Sequence, residues 1–315
     1  MPPQVETVLS YLVSVKFLIL YVFILSAVYV HFRGKERLKF RRQLLDHSTF
    51  MAPYNCFIYA TSAVPNTPYL KREDFPQLDE LQDNWEVIRD EALGLVDQGS
   101  IRKAEKDNDA AFHSFFRTGW KRFYLKWYGD FLPSAERQCP KTVELVNSIP
   151  GLNAAMFALL PPGAVLGRHR DPFAGSLRYH LGLVTPNSDQ CAIWVDGQPY
   201  AWHDGEDVVF DETFVHTARN DTDQTRVILF CDVERPLKFK LATWINRGFK
   251  KVVVALTQTQ NEETEKVGLL NKLFSGVYKI RNLGQRLKKW NRTVYKIVEW
   301  AIYLGLFYLI FLRFH

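Results

Sequence analysis

His169-Arg170-Asp171 sets an imidazole and a carboxylate two residues apart, and residues i and i+2 of an extended chain point to the same side. The pair could hold one metal ion, although the same spacing also occurs in surface loops. His216, in the run Phe210-Asp211-Glu212-Thr213-Phe214-Val215-His216, follows a buried-looking strand and offers a second imidazole. Two histidines and one carboxylate make the facial triad of non-haem Fe(II) oxygenases, which leaves three positions of an octahedron for other molecules. Two of these suit a chelating 2-oxo acid and the third O2. Ten residues beyond His216, Arg226 opens the apolar strand Val227-Ile228-Leu229-Phe230-Cys231. Its planar guanidinium fits the distal carboxylate of 2-oxoglutarate; an ion pair with Asp223 or Asp232 is the other reading. Arg178 and His180, again two apart on one strand face, could line the same pocket. Zn2+ or Mn2+ in these ligands, serving a hydrolase or isomerase, is an alternative, since geometry does not choose the metal.

Residues spread over this much chain need a scaffold that brings them to one place. Asn153–Leu160, Tyr179–Thr185, Ala192–Val195, Asp207–Phe210 and Arg226–Val233 are short β-prone runs separated by Pro, Gly, Asn and Asp. That texture predicts a mainly β fold, a sandwich or jelly roll of about eight strands over residues 150–237, with helices packed outside. Upstream, Leu78, Leu81, Trp85, Ile88 and Leu95 recur at helical spacing and predict one amphipathic helix over Leu78–Leu95. Cys139–Ser148 reads as a second helix. Residues 112–131 alternate aromatic and basic side chains, as strands on a core do, with lipid or phosphosugar contact as the alternative. Residues 43–70 lack periodicity and are expected to wrap the domain or lie on a membrane surface; no chemistry is assigned to them.

With 315 residues, 47% of them hydrophobic, the chain is no disordered protein, and four cysteines without ligand spacing fit a reduced compartment better than a disulfide scaffold. The net charge of +6 is carried by the flanks: residues 43–278 hold 25 basic and 31 acidic side chains. A folded middle of net −6 with no basic patch argues against a nucleic-acid partner. Val8–Val30 has Lys16 as its only charge, long enough for a transmembrane helix, and Trp300–Leu312 is a shorter uncharged run, borderline for a second. Six basic residues in 31–42 and seven in 279–296 would keep the intervening chain cytoplasmic, against anionic headgroups of the inner membrane. The expected organisation is a membrane helix over residues 1–32, a basic wrapping segment over 33–77, the catalytic domain over 78–240, a basic extension over 241–293 and a second membrane segment over 294–315. The sequons at Asn220 and Asn291 would then carry no sugar.

Three blocks, Gly163–Val184, Trp202–His216 and Arg226–Pro236, agree in order and spacing with one family, and the chain resembles the aspartyl/asparaginyl β-hydroxylase family of 2-oxoglutarate-dependent dioxygenases. The resemblance implies a double-stranded β-helix core. It also implies Fe(II) and 2-oxoglutarate held by His169, His216 and Arg226, with O2 as co-substrate and Arg178 and His180 in the same pocket. One departure matters: animal members have Gly where Asp171 stands, so the complete triad points to bacterial members. The basic block Arg33–Met51 after a single span is similar to that of bacterial lipid A 2-hydroxylases. This implies membrane attachment and attack on C2 of a fatty acyl chain, with Phe173, Trp194, Tyr200 and Trp202 as candidates for lining an acyl groove. An ornithine or aminoacyl lipid, or a peptide Asp or Asn, is the alternative substrate, and a non-catalytic scaffold the alternative class.

Overall fold

Strand β3 (Leu152–Leu160) is buried along its whole length, and β5 (Ser176–Val184) and β10 (Arg226–Glu234) along all but the last residue. Such continuous burial requires a cover on both faces, and the topology supplies it. The computed structural model describes residues 15–44, 46–101, 118–129, 131–257, 261 and 283–309. The chain divides into two compact units, Leu25–Asn271 and Met1–Ile24 with Lys272–His315.

In the larger unit, β1 (Tyr69–Leu70), β2 (Lys121–Trp127), β8 (Asp207–Phe210) and the three long strands form a six-stranded sheet in the order β1-β8-β5-β10-β3-β2. A second sheet has the order β4-β9-β6-β7, from β4 (Val165–His169), β6 (Cys191–Val195), β7 (Gln198–Ala201) and β9 (His216–Asn220). Every pairing is antiparallel. Strands β3 to β10, four in each sheet, thus make the eight strands of a jelly roll, with β1 and β2 added at the edges of the larger sheet. The β4, β7 and β9 runs are missing from the sequence-predicted strands. They are short, and β4 and β7 are largely exposed, so no apolar run marks them.

Helices cover the larger sheet. The helix expected over Leu78–Leu95 is two: residues Asp79–Asp83, then a longer helix, Trp85–Asp97. Asn84 separates them, its side-chain amide donating to the Glu80 carbonyl at 2.8 Å in place of a continuing backbone turn. Numbered in chain order, the main helices are α1 (Val15–Phe32), α2 (Ala52–Thr61), α3 (Trp85–Asp97), α4 (Pro140–Ser148), α5 (Lys240–Thr257) and α6 (Arg292–Phe307). Helix α3 packs on β5, and α4 on β3 and α3. Glu91 of α3 fixes the start of α4, accepting from the backbone N–H of Lys141 at 3.1 Å and Thr142 at 2.8 Å. A carboxylate there also meets the positive end of the helix.

Among the described residues no helix is long and apolar enough to cross a membrane. Helix α1 has 18 residues, about 27 Å at 1.5 Å per residue, and one face of its last turns rests on protein: Ser26 and Val30 are buried, while Val28, Tyr29 and Phe32 are exposed. The expected span over Val8–Val30 begins in residues 8–14, which lie outside the described ones. Upstream of Ser26 the helix shows exposed apolar side chains, among them Val15, Leu18, Ile19, Val22 and Leu25. In the smaller unit, α6 has 16 residues and is capped by Asn291, whose side chain accepts from Thr293 and Val294 N–H; residues 310–315 of the expected second segment are outside the described range.

Removing the α3 cap on α4 should cost what an N-cap costs. Glu91→Ala is expected to lower unfolding stability by about 0.5–2 kcal/mol in a urea titration, and an unchanged midpoint would contradict this reading of the helix start.

Candidate active site

His169 closes β4 and His216 opens β9, and the two are register partners across the pair. The register shifts between Leu166 and His169, a bulge of the kind that re-aims a side chain. The imidazole centroids are 4.1 Å apart, and His169 Nε2 lies 3.8 Å from Asp171 Oδ1. One ligand atom from each of His169, Asp171 and His216 falls within 4.8 Å of the others. Each Nδ1 meets a backbone carbonyl, of Gly167 at 2.7 Å for His169 and of Phe214 at 3.0 Å for His216. A carbonyl only accepts, so Nδ1 carries the proton and Nε2 is the lone-pair nitrogen turned to the centre. Burial, then the neighbouring His216, pulls His169 down to about 3, and burial lowers His216 as well. Burial would raise Asp171, but Arg178 and the two histidines outweigh it and hold the carboxyl low. Two neutral imidazoles and one carboxylate are a donor set that fits a divalent first-row metal.

Arg178 explains how the carboxylate is fixed. It stands opposite Asp232 in the β5–β10 register, its Nε donates to Asp232 Oδ1 at 2.7 Å and its Nη2 to Asp171 Oδ2 at 2.9 Å. It also pairs with Glu212 and lies 3.7 Å over the Phe230 ring. With one cation among three carboxylates, burial leaves Glu212 and Asp232 raised despite the pull of Arg178. Arg178 lines the pocket, yet its guanidinium is engaged by protein. Glu212 and Asp232 are members of this cluster that sequence reasoning did not place here; an acid inside the apolar β10 run was the available signal.

Arg226 is the opposite case. It is buried, stacked 4.3 Å over Trp202, and makes no ion pair among the described residues; its Nε has no hydrogen-bond partner there. Asp232, a partner weighed from the sequence, is taken by Arg178 and by the Tyr128 hydroxyl at 2.8 Å. Burial brings Arg226 down to about 10, still a cation at neutral pH. His180 adds a second unmet group: its Nδ1 accepts from Trp202 Nε1 at 3.4 Å, which puts the proton on Nε2, and that buried nitrogen has no partner among the described residues. Arg226, His180 and the three metal-type ligands line one pocket, with apolar walls from Ile193, Phe210 and Phe230. Of the aromatic candidates, Trp202 joins this lining, whereas Phe173 stacks on Tyr54 and Phe249. Trp194 sits under Arg219 and Tyr200 beside Tyr69.

The ligand segments are clamped from outside by residues the sequence did not single out. Arg170, between the two ligands, donates to the carbonyls of Val30 and, at 3.2 Å, Arg33 at the end of α1. His47 Nε2 donates to the Arg170 carbonyl at 2.8 Å. Arg33 in turn pairs with Asp211 at 2.6 Å and donates to Thr213 at 2.7 Å, inside the loop that leads to His216. Asp211 also takes Arg235 at 2.7 Å.

Residues 82–236 match the family model described as Aspartyl/Asparaginyl beta-hydroxylase, and through this domain the chain belongs to that family. It is 37% identical over 175 residues to the ornithine lipid ester-linked acyl 2-hydroxylase of Rhizobium tropici, covering 55% of this chain and 62% of that one. It is 31% identical over 186 residues to human aspartate beta-hydroxylase domain-containing protein 2 (55% and 48%). With human aspartyl/asparaginyl beta-hydroxylase the identity is 29% over 161 residues (50% and 21%). The match thus spans from about a fifth to three fifths of the relatives' own lengths. A Pseudomonas putida prolyl-4-hydroxylase structure is a distant likeness, with a TM-score of 0.33 and 18% identity over 59% of this chain and 98% of that one.

Two outcomes follow for the metal site. Because His169 is held far below the ordinary imidazole value of 6.5, protons compete poorly with a metal there. Co(II) absorption is therefore expected to persist as the pH falls through 6.5, and release centred on 6.5 would contradict it. Arg33→Ala strands Asp211 with one cation fewer and should weaken Co(II) binding roughly 10- to 100-fold, the usual cost of losing an outer support. An unchanged affinity in a folded variant would show that the clamp does not reach the ligands.

Proposed function

We propose that the chain is an Fe(II)- and 2-oxoglutarate-dependent dioxygenase that hydroxylates C2 of a fatty acyl chain of a membrane lipid. The observation that carries this reading is the coincidence, in one pocket, of a His-Asp-His donor set with a buried guanidinium that meets no anion among the described residues. His169, Asp171 and His216 would hold the iron on one side, leaving the other side to small molecules. Arg226, pressed flat on Trp202, is oriented to bind the distal carboxylate of 2-oxoglutarate, and His180 Nε2–H is a second donor for an oxygen of the bound acid. Arg178 positions Asp171 and neutralises part of the charge behind it. Ile193, Phe210 and Phe230 exclude water and suit an acyl methylene. Bound iron, with 2-oxoglutarate and O2, supplies the oxidation that turns a C–H into C–OH, with succinate and CO2 as co-products.

The lipid headgroup is the finer part of the proposal. Resemblance in the basic block Arg33–Met51 supports lipid A, and the Rhizobium tropici relative, whose name specifies an ornithine lipid, supports an ornithine lipid as the second reading. We place the domain at the cytoplasmic face of the inner membrane, held there by the apolar N-terminal run and the basic segments beside it. The run Val8–Val30 with the cations of 31–42 supports that orientation; the C-terminal run over 294–315 would be a second membrane segment.

Full-length protein in liposomes, given Fe(II), 2-oxoglutarate and O2, should form succinate only when an acyl lipid is present, with that lipid gaining one oxygen at C2. Lipid A and ornithine lipid are compared side by side. Turnover on neither, with iron bound, would remove the lipid reading; failure to bind iron would remove the enzyme. Arg226→Ala should raise the KM for 2-oxoglutarate by about 10- to 100-fold, the worth of a charge-assisted hydrogen bond, with Co(II) affinity unchanged. An unaltered KM would take the carboxylate away from Arg226.

A further inference from the structure

From Pro236 to Thr257 the chain has five cations and no carboxylate, and α5 occupies most of that stretch. Its inner face is tied to the barrel. Ala242 and Asn246 are buried; Asn246 donates to the Gly175 carbonyl at 3.0 Å and accepts from the Tyr54 hydroxyl at 2.6 Å. Phe249 stacks on Tyr54 with centroids 4.3 Å apart, and on Phe173 at 6.0 Å. Gly175 is required by this closeness, since a Cβ there would run into Asn246, Phe173 and Tyr54. The loop so gripped is the one that leaves Asp171.

The outer face has the composition of an inner one. Leu241, Trp244 and Val252 are 67%, 73% and 58% exposed, and with Gly248 they follow at three, four and four residues, one stripe of a helix. Phe239 extends the stripe at the entry to the helix and is also exposed. Lys238, Lys240 and Lys251 are exposed beside it and form no ion pair among the described residues. Arg247 is tied to Glu234 and Lys250 to Asn153, so the three lysines set the sign of the outward surface. An apolar stripe with an indole, bordered by cations without a countercharge, is the pattern of a helix lying in a bilayer interface.

We infer that the outer face of α5 docks in the headgroup region of an anionic bilayer, with Leu241, Trp244 and Val252 inserted and Lys238, Lys240 and Lys251 at the phosphates. The inference builds on the lipid-substrate reading, because a bilayer is where that substrate lies. Docking through α5 would set the loop that follows Asp171 at the membrane surface, since the Asn246 and Phe249 contacts join helix and loop.

The test uses the full chain in vesicles of phosphatidylglycerol and phosphatidylcholine carrying brominated acyl chains. The chain has eight tryptophans, so the emission of Trp244 is isolated as the difference between wild type and Trp244→Phe. Brominated lipid is expected to quench this emission by about half or more, and aqueous iodide to lose access to it. The double variant Leu241→Glu, Val252→Glu should reverse both effects and keep the wild-type melting temperature and its turnover of detergent-dispersed lipid. Trp244 that stays open to iodide and blind to bromine overturns the proposal. Shielding from both quenchers also overturns it and indicates a protein partner or a second copy on this face. Loss of lipid hydroxylation with bromine quenching intact would sink the proposed activity and leave the docking surface standing.

Discussion

A single buried carboxylate, Asp211, joins three parts of the chain that are far apart in sequence. Its Oδ2 receives Arg33, just beyond α1, and Arg235, just beyond β10; its Oδ1 accepts the N–H of Thr213 at 3.0 Å. Burial would push this carboxyl up, but Arg235 and Arg33 hold it low. An ion group of this kind is a poor source of net stability, because desolvation offsets most of the attraction, yet loss of one member leaves a charge uncompensated. Its use is to enforce a geometry. The loop from Asp211 to His216 takes its shape around that carboxylate, and the end of α1 must be present for Arg33 to complete it.

The two pocket arginines show how charge counting separates a structural cation from a binding one. Arg178 and Arg226 lie on adjacent strands of the same sheet and both are buried. Arg178 meets three carboxylates, so the cluster around it carries an excess of negative charge, which Glu212 and Asp232 relieve by holding protons more tightly. Arg226 meets a tryptophan face, which stabilises a guanidinium without neutralising it. An incoming dianion is therefore repelled by the surroundings of the first and drawn to the second. Sequence reasoning assigned the carboxylate to Arg226 and placed Arg178 in the pocket lining; the β5–β10 register, which sets Arg178 against Asp232, is what ties Arg178 to protein.

Much of the larger unit was readable because its long strands are mostly apolar: Leu152–Leu160, Ser176–Val184 and Arg226–Glu234 are β-prone runs interrupted by a few polar residues such as Arg178, His180 and Asp232. Of the smaller sheet only β6 was, since β4 and β9 have no hydrophobic pattern of their own and meet through the His169–His216 pairing. The triad was legible for a different reason, because His169 and Asp171 are neighbours and His216 follows a recognisable strand. Its supports were illegible: Arg33, Arg170, Asp211 and Arg235 look like ordinary surface charges until the fold buries them. Helix α1 was legible only in part. Its apolar run gives no sign that one face of the last turns, at Ser26 and Val30, is covered by protein while Val28, Tyr29 and Phe32 stay exposed.

The segment over residues 43–70, to which composition assigned no chemistry, shows why a jelly roll needs more than its strands to hold a metal-type site. The chain leaving β4 through Asp171 to Gly175 has backbone groups that no strand pairing can satisfy over most of its length, and buried groups of that kind must find partners. Asp171 N–H donates to the Glu212 carbonyl at 3.0 Å, and side chains of the wrapping segment supply others: His47 for the Arg170 carbonyl, and Asn55 for the Pro172 carbonyl at 2.9 Å and the Ala174 N–H at 3.0 Å. Asn55, wholly buried, works as a splint, using its amide N–H and its carbonyl on the same loop. A loop satisfied by side chains in this way is as fixed as a strand. The wrapping segment is thus the outer wall of the ligand loop, and this is the structural reason for a long connection between α1 and the barrel.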